Sequence, residues 1–152
     1  MNNYYITSGL GTSDNLNHKL VAFDNALIQA GISNYNLVRV SSILPASAIR
    51  QSAVNLPLAS PLHTAYATVS SNTPGEQIAT AIAVGIPKSS TDIGVIMEAV
   101  GTTAEETAEM ARGMVIEAMK NHGIEIDHIE FSSIEGAVSS GCLSLVSAIA
   151  MW

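Results

Sequence analysis

Residues 77–86 read Gln-Ile-Ala-Thr-Ala-Ile-Ala-Val-Gly-Ile, a run without charge that Pro87 closes. The length of the run and its β-branched and small residues predict a buried strand. A buried strand needs packed layers around it, so the rest of the chain has to supply them. The composition allows this. Of 152 residues, 47% are hydrophobic and 12% charged, too apolar for a disordered chain and enough for one domain with a substantial core. One tryptophan and two phenylalanines leave that core to Ala, Val, Ile, Leu and Met.

The flanking sequence predicts the remaining elements. Tyr4–Ser8 reads as a strand and residues 9–15 as a turn rich in Gly, Ser, Thr and Asp. A helix is expected from about Leu16 to Ala30, with Ser13 or Asp14 as cap and Gly31 as stop. Its apolar stripe would be Leu16, Leu20, Phe23, Leu27 and Ile28. Tyr35–Ile43 reads as a strand interrupted at Ser41-Ser42, and residues 50–57 as a loop. His63–Ser70, Ile93–Val100 and Ile124–Ile134 are further strands. Thr102 and Thr103, followed three residues on by Glu105 and Glu106, form a double capping-box signal for a helix running to about Asn121. Residues 142–151 fit strand or helix equally on periodicity. Strands mixed with two clear helices indicate an α+β layered domain.

Several function classes are disfavoured. The net charge is −7 and only six scattered Lys and Arg occur, so a nucleic-acid partner is not expected. Cys142 is the single cysteine, which rules out an internal disulfide and a cysteine zinc site. His18, His63, His122 and His128 lack metal-ligand spacing, so no metal is expected. Gly9-Leu10-Gly11 lacks the lysine and the full glycine pattern of a phosphate loop. No signal peptide and no run of about 18 apolar residues is visible, so the cytoplasm is the expected location and no membrane contact is foreseen.

Ser41-Ser42 carries the chemistry of most interest. Ser42 Oγ can attack the carbonyl of Ser41, turning amide into ester if the fold strains the bond and stabilises the oxyanion. Elimination and hydrolysis then leave a pyruvoyl group where Ser42 stood. The pair alone is also an ordinary strand end. Its context narrows the choice: residues 22–32 (Ala-Phe-Asp-Asn-Ala-Leu-Ile-Gln-Ala-Gly-Ile) precede it. Pro74-Gly75-Glu76-Gln77-Ile78, residues 83–88 and Gly94-Val95-Ile96-Met97-Glu98 follow it. In this order and spacing the chain resembles the pyruvoyl-dependent arginine decarboxylases, from about Asn15 to Trp152.

The resemblance implies a four-layer αββα sandwich assembling as homotrimers with sites near subunit interfaces. It implies cleavage between Ser41 and Ser42 into residues 1–41 and 42–152, a pyruvoyl group made from Ser42, and a Schiff base with the α-amine of arginine on the way to agmatine. Catalytic roles then fall to Ser42, Glu98 and Asn36, and substrate binding to Asp24 and Leu27. Glu98 would return the proton to the substrate. Ending the strand Val95-Ile96-Met97, it is expected beside apolar walls that favour its acid form. Asn36 would donate to the oxyanion of cleavage, and Asp24 would hold the guanidinium. Arg39 reads as structural, because an arginine gripping the substrate carboxylate would oppose its loss.

By position alone Asn36 is also an ordinary strand start, Glu98 a solvent-facing strand end, and Asp24 a stripe-edge residue reaching water. Two other readings stay open: the same chemistry on another amino acid, and an uncleaved, non-catalytic trimeric relative.

Overall fold

A computed structural model describes residues 1–152. The elements are β1 (Asn3–Ser13), α1 (Lys19–Ala30), β2 (Asn36–Arg39), β3 (Ile43–Leu44), β4 (Ile49–Arg50), β5 (Pro61–Ser71), β6 (Gln77–Pro87), β7 (Gly94–Gly101), α2 (Ala104–Asn121), β8 (Ile126–Ala137) and β9 (Cys142–Met151). They form two stacked sheets, one ordered β2-β5-β9-β1-β4 and the other β3-β7-β6-β8. Helix α1 covers the outer face of the first sheet and α2 that of the second, which gives the αββα order of layers.

The alternation of large and small residues on β6 explains this layering. Ile82 and Val84 point between the sheets, where they meet Tyr4, Ile6, Ile149 and Met151. Ala81 and Ala83 point the other way, onto Ala108, Ala111, Val115 and Met119 of α2. A strand exposes successive side chains on opposite faces, so one strand serves two cores. β9 does the same for the other sheet: Leu145 and Ile149 face inward, and Val146, Ala148 and Ala150 face α1. Residues 142–151, ambiguous from periodicity, are therefore a central strand buried at every position.

Helix α2 starts as its capping signal predicts. Thr103 accepts a hydrogen bond from the amide of Glu106 at 3.3 Å. Helix α1 departs from expectation in three ways. It starts at Lys19, with His18 at its cap position making no side-chain capping bond, rather than at a Ser13 or Asp14 cap. Residues 9–13 extend β1 instead of forming a turn. The buried face is Ala22, Ala26, Leu27 and Ala30, while Leu16, Leu20 and Ile28 are exposed. One cause covers the last two changes. A Cβ on Gly9 or Gly11 would run into the α1 backbone at Ala22, Ala26 and Ala30, so helix and strand touch through residues with little or no side chain. Close contact selects the small face of the helix over the large one. The C-terminus of α1 follows prediction: Gly31 is left-handed (φ 79°), and the Ile32 amide donates to Leu27 O at 3.1 Å.

No helix is long and apolar enough to cross a membrane.

Candidate active site

The strand expected over Tyr35–Ile43 is two strands in two sheets. β2 pairs in parallel with β5 of the first sheet, and β3 pairs antiparallel with β7 of the second. The chain crosses between the sheet edges at residues 40–42. Val40 N donates to Thr64 O at 3.1 Å on one side. Ile96 N donates to Ser42 O at 2.7 Å on the other. The Ser41–Ser42 peptide is thus held between anchors on different sheets, with Ser41 exposed and Ser42 half-buried. Residues Arg39, Val40, Ser41, Ser42, Ile96, Met97 and Glu98 line a hollow of about 370 Å³ beside it.

Alternation along β7 decides which side chains face this hollow. Val95 and Ala99 pack on α2, so Ile96 and Glu98 turn toward the first sheet. β2 ends at Arg39, opposite Thr64, while β5 runs on to Ser71. Beyond that point the edge of β5 is open, and Arg39 folds into the gap. Its Nη2 donates to Tyr66 O at 2.9 Å and to Glu98 Oε1 at 3.1 Å. Its guanidinium carbon lies 4.4 Å from the centroid of the Tyr66 ring. The apolar enclosure expected for Glu98 is therefore absent within one chain: its side chain is 39% exposed and paired with a cation. The reason is the early end of β2, which opens the gap to water and to Arg39.

The other expected site residues lie apart from the hollow. Asn36 begins β2 and donates through Nδ2 to Ala59 O at 2.7 Å. Asp24 is exposed on α1, and Leu27 is buried beneath that helix. The structure thus joins Ser41, Ser42 and Glu98 in one hollow, and leaves Asn36, Asp24 and Leu27 outside it. Tyr66 was not singled out in the sequence. No local pattern ties it to Arg39, because the link depends on where β2 stops.

A second polar cluster ties the opposite edges of the sheets together. Glu130 of β8 accepts from the Tyr4 hydroxyl at 2.9 Å and pairs with Arg50 of β4 at 3.2 Å. His128 sits between Glu130 and Asp127, at 2.8 and 2.6 Å. Burial first, and then the bond to Glu130, pushes the Tyr4 phenol well above its ordinary range. The bonds to Asp127 and then Glu130 raise His128.

The comparisons with known proteins bear on both sheets at once. Residues 3–151 match the family model described as pyruvoyl-dependent arginine decarboxylase. A protein of that name from Methanocaldococcus jannaschii is 41% identical over 135 residues, covering 88% of this chain and 81% of its own length. The Pyrococcus abyssi protein of that name is 39% identical over 137 residues, covering 88% and 86%. A Methanococcus aeolicus counterpart is 36% identical over 154 residues, covering 99% and 90%. The matched span takes in every strand and both helices, including the serine crossover and Glu98. On that extent of similarity, the chain belongs to the pyruvoyl-dependent arginine decarboxylase family.

Proposed function

We propose that this chain cuts itself between Ser41 and Ser42 and decarboxylates L-arginine to agmatine and carbon dioxide. The observation that carries the reading is the serine peptide tethered on both flanks and open to the hollow that Glu98 lines. The residues present fit a pyruvoyl group made from the chain itself. Ser42 faces a hollow with Val40 and Ile96 as apolar wall, and its backbone carbonyl is already held by Ile96 N.

Anchors on separate sheets limit how far the peptide can relax, which suits a bond that must be distorted. Ser42 Oγ attacks the Ser41 carbonyl carbon, and the C–N bond gives way to an ester. Elimination across Ser42 Cα–Cβ releases Ser41 as a new carboxyl terminus. One water then displaces ammonia from the dehydroalanine left behind. The products are residues 1–41 and 42–152, still joined by the strand pairing of β2 with β5 and of β1 with β9 and β4.

A pyruvoyl group made from Ser42 would supply a ketone for the substrate amine and an electron sink for decarboxylation. Glu98 returns a proton to Cα of the substrate. Val40 and Ile96 give the reacting carboxylate apolar neighbours. Asp24 receives the guanidinium as a carboxylate partner, Leu27 forms part of the substrate wall, and Asn36 donates to the oxyanion during cleavage. These three lie outside the hollow of their own chain. The reading therefore has sites completed by neighbouring copies in a homotrimer. The exposed Leu20 and Ile28 of α1, with Leu16 just before the helix, support burial against such a copy.

Intact mass of the purified protein tests the first step. Two chains are expected, with residues 42–152 lighter by one ammonia than a serine-ended fragment. Incubation with single amino acids then tests the second, with release of carbon dioxide greatest from arginine. A chain that stays uncut and releases none would overturn the reading. Release from a different amino acid would overturn only the substrate.

A further inference from the structure

We infer that Arg39 is a positioning residue for Glu98, and that Tyr66 is the platform that fixes it. The inference rests on the reading of Glu98 as proton donor.

An exposed ion pair ordinarily does little, because two long side chains must be immobilised and water screens the charges. Arg39 is 56% exposed, so the pair with Glu98 alone would carry no argument. Its other contacts change this. Carbonyls two residues apart on a strand point to the same edge. Thr64 O on that edge of β5 accepts from Val40 N, and Tyr66 O is the next carbonyl along. With β2 ended, no backbone amide reaches it. Arg39 Nη2 takes that place at 2.9 Å and so continues the sheet edge with a side chain. The guanidinium plane also rests on the Tyr66 ring, which in turn packs on Phe23 of α1 at 6.2 Å between centroids. The cation is held from two directions before Glu98 is considered. The remaining direction of Nη2 is the one that meets Glu98 Oε1.

The pair also divides space. Arg39 and Glu98 line the hollow of the serine peptide and a neighbouring one of about 230 Å³ walled by Ala67, Thr68, Ala99 and Val100. Glu98 stands on the partition between them, and without Arg39 its carboxyl would be free to turn into either. Arg39 selects one orientation and so acts on catalysis through Glu98, not through the substrate carboxylate.

The test is a double-mutant cycle on the processed enzyme, with kcat counted per cleaved chain by intact mass. Arg39→Ala is expected to lower kcat about tenfold to hundredfold, as loss of orientation does, with KM little changed. Arg39→Lys, which keeps a donor and a charge but not the ring contact, should recover part of the loss. In a Glu98→Gln background Arg39→Ala should cost nothing further, because the group it positions is already disabled. Tyr66→Leu leaves Arg39 in place without its platform and should show the same pattern more weakly, which keeps the test available if Arg39→Ala does not fold. Equal losses in both backgrounds, or an unchanged kcat for Arg39→Ala, would overturn the inference and leave the Glu98 reading standing. Full activity in Glu98→Gln would overturn both.

Discussion

Ile96 N donates to Ser42 O at 2.7 Å, joining the residue after the proposed cut to the middle of a sheet that β2 never touches. Two residues earlier the chain still belongs to the other sheet. Ser41 is the single residue between the two attachments, and the attachments are backbone bonds that survive changes of side chain.

Ser42→Ala should therefore fold normally and remain one chain of 152 residues by intact mass, because it removes the attacking hydroxyl and keeps the anchors. Arginine decarboxylation should fall to background. A cut chain in this variant would show that Ser42 is not the nucleophile.

Asp24→Asn should leave cleavage untouched and weaken use of arginine. A charge-assisted hydrogen bond contributes roughly 1.5–3 kcal/mol, so kcat/KM should drop about tenfold to hundredfold. Mixed oligomers of Asp24→Asn with Glu98→Gln subunits should regain activity if Asp24 serves a neighbour's hollow. Steady-state kinetics on refolded mixtures against each parent decides this, and mixtures no better than the parents would place Asp24 elsewhere.

Two glycines predict opposite signs. Gly11→Ala would push a methyl into the α1 backbone at Ala22 and Ala26. Overpacking of this kind costs about 1–3 kcal/mol or more. Gly113 lies within α2 with open space around it, so Gly113→Ala should stabilise by about 0.5–1 kcal/mol. Urea unfolding midpoints of the two variants should bracket the parent.

A chain of hydroxyls crosses the inter-sheet core: Ser132 to Ser8 at 2.7 Å, Ser8 to Ser147 at 2.8 Å, and Ser147 to Thr80 at 2.8 Å. Thr80 and Ser147 are fully buried. Ser147→Ala should cost about 1–3 kcal/mol, since it strands the Thr80 hydroxyl where water cannot reach. Adding Thr80→Val should cost less than the sum of the single changes, as calorimetry on the three variants would reveal.

His128 gives the stability a pH dependence. Its folded value lies above the ordinary 6.5. The contribution is then complete below about pH 6.5 and fades as pH rises through the folded value. His128 is largely exposed, so the effect is small. Between about pH 5.5 and pH 8.5 the parent should lose stability relative to His128→Gln. Parallel denaturation curves for the two proteins test this, and a constant difference between them would exclude the linkage.

Much of the architecture is legible from local pattern. The apolar run at residues 77–86 and the capping signal at Thr103 report local facts, and each appears where local physics puts it. The α1 stripe holds at Phe23 and Leu27 but misled at Leu16, Leu20 and Ile28, because hydrophobicity counts the largest side chains, whereas packing against Gly9 and Gly11 rewards the smallest. Residues 142–151 resisted assignment because a strand buried on both faces has no polar side to mark its period.

At the site the division is sharper. Sequence by itself determined the serine pair, Glu98 within a strand that follows it, and the apolar residues beside it, since these are matters of residue type and order. Only the tertiary structure decided that the strand breaks between sheets at that pair, that β2 stops short of Tyr66, and that Arg39 fills the gap beside Glu98. Arg39 and Glu98 stand 59 positions apart. No local propensity reports a contact that exists only where one sheet ends and another passes behind it.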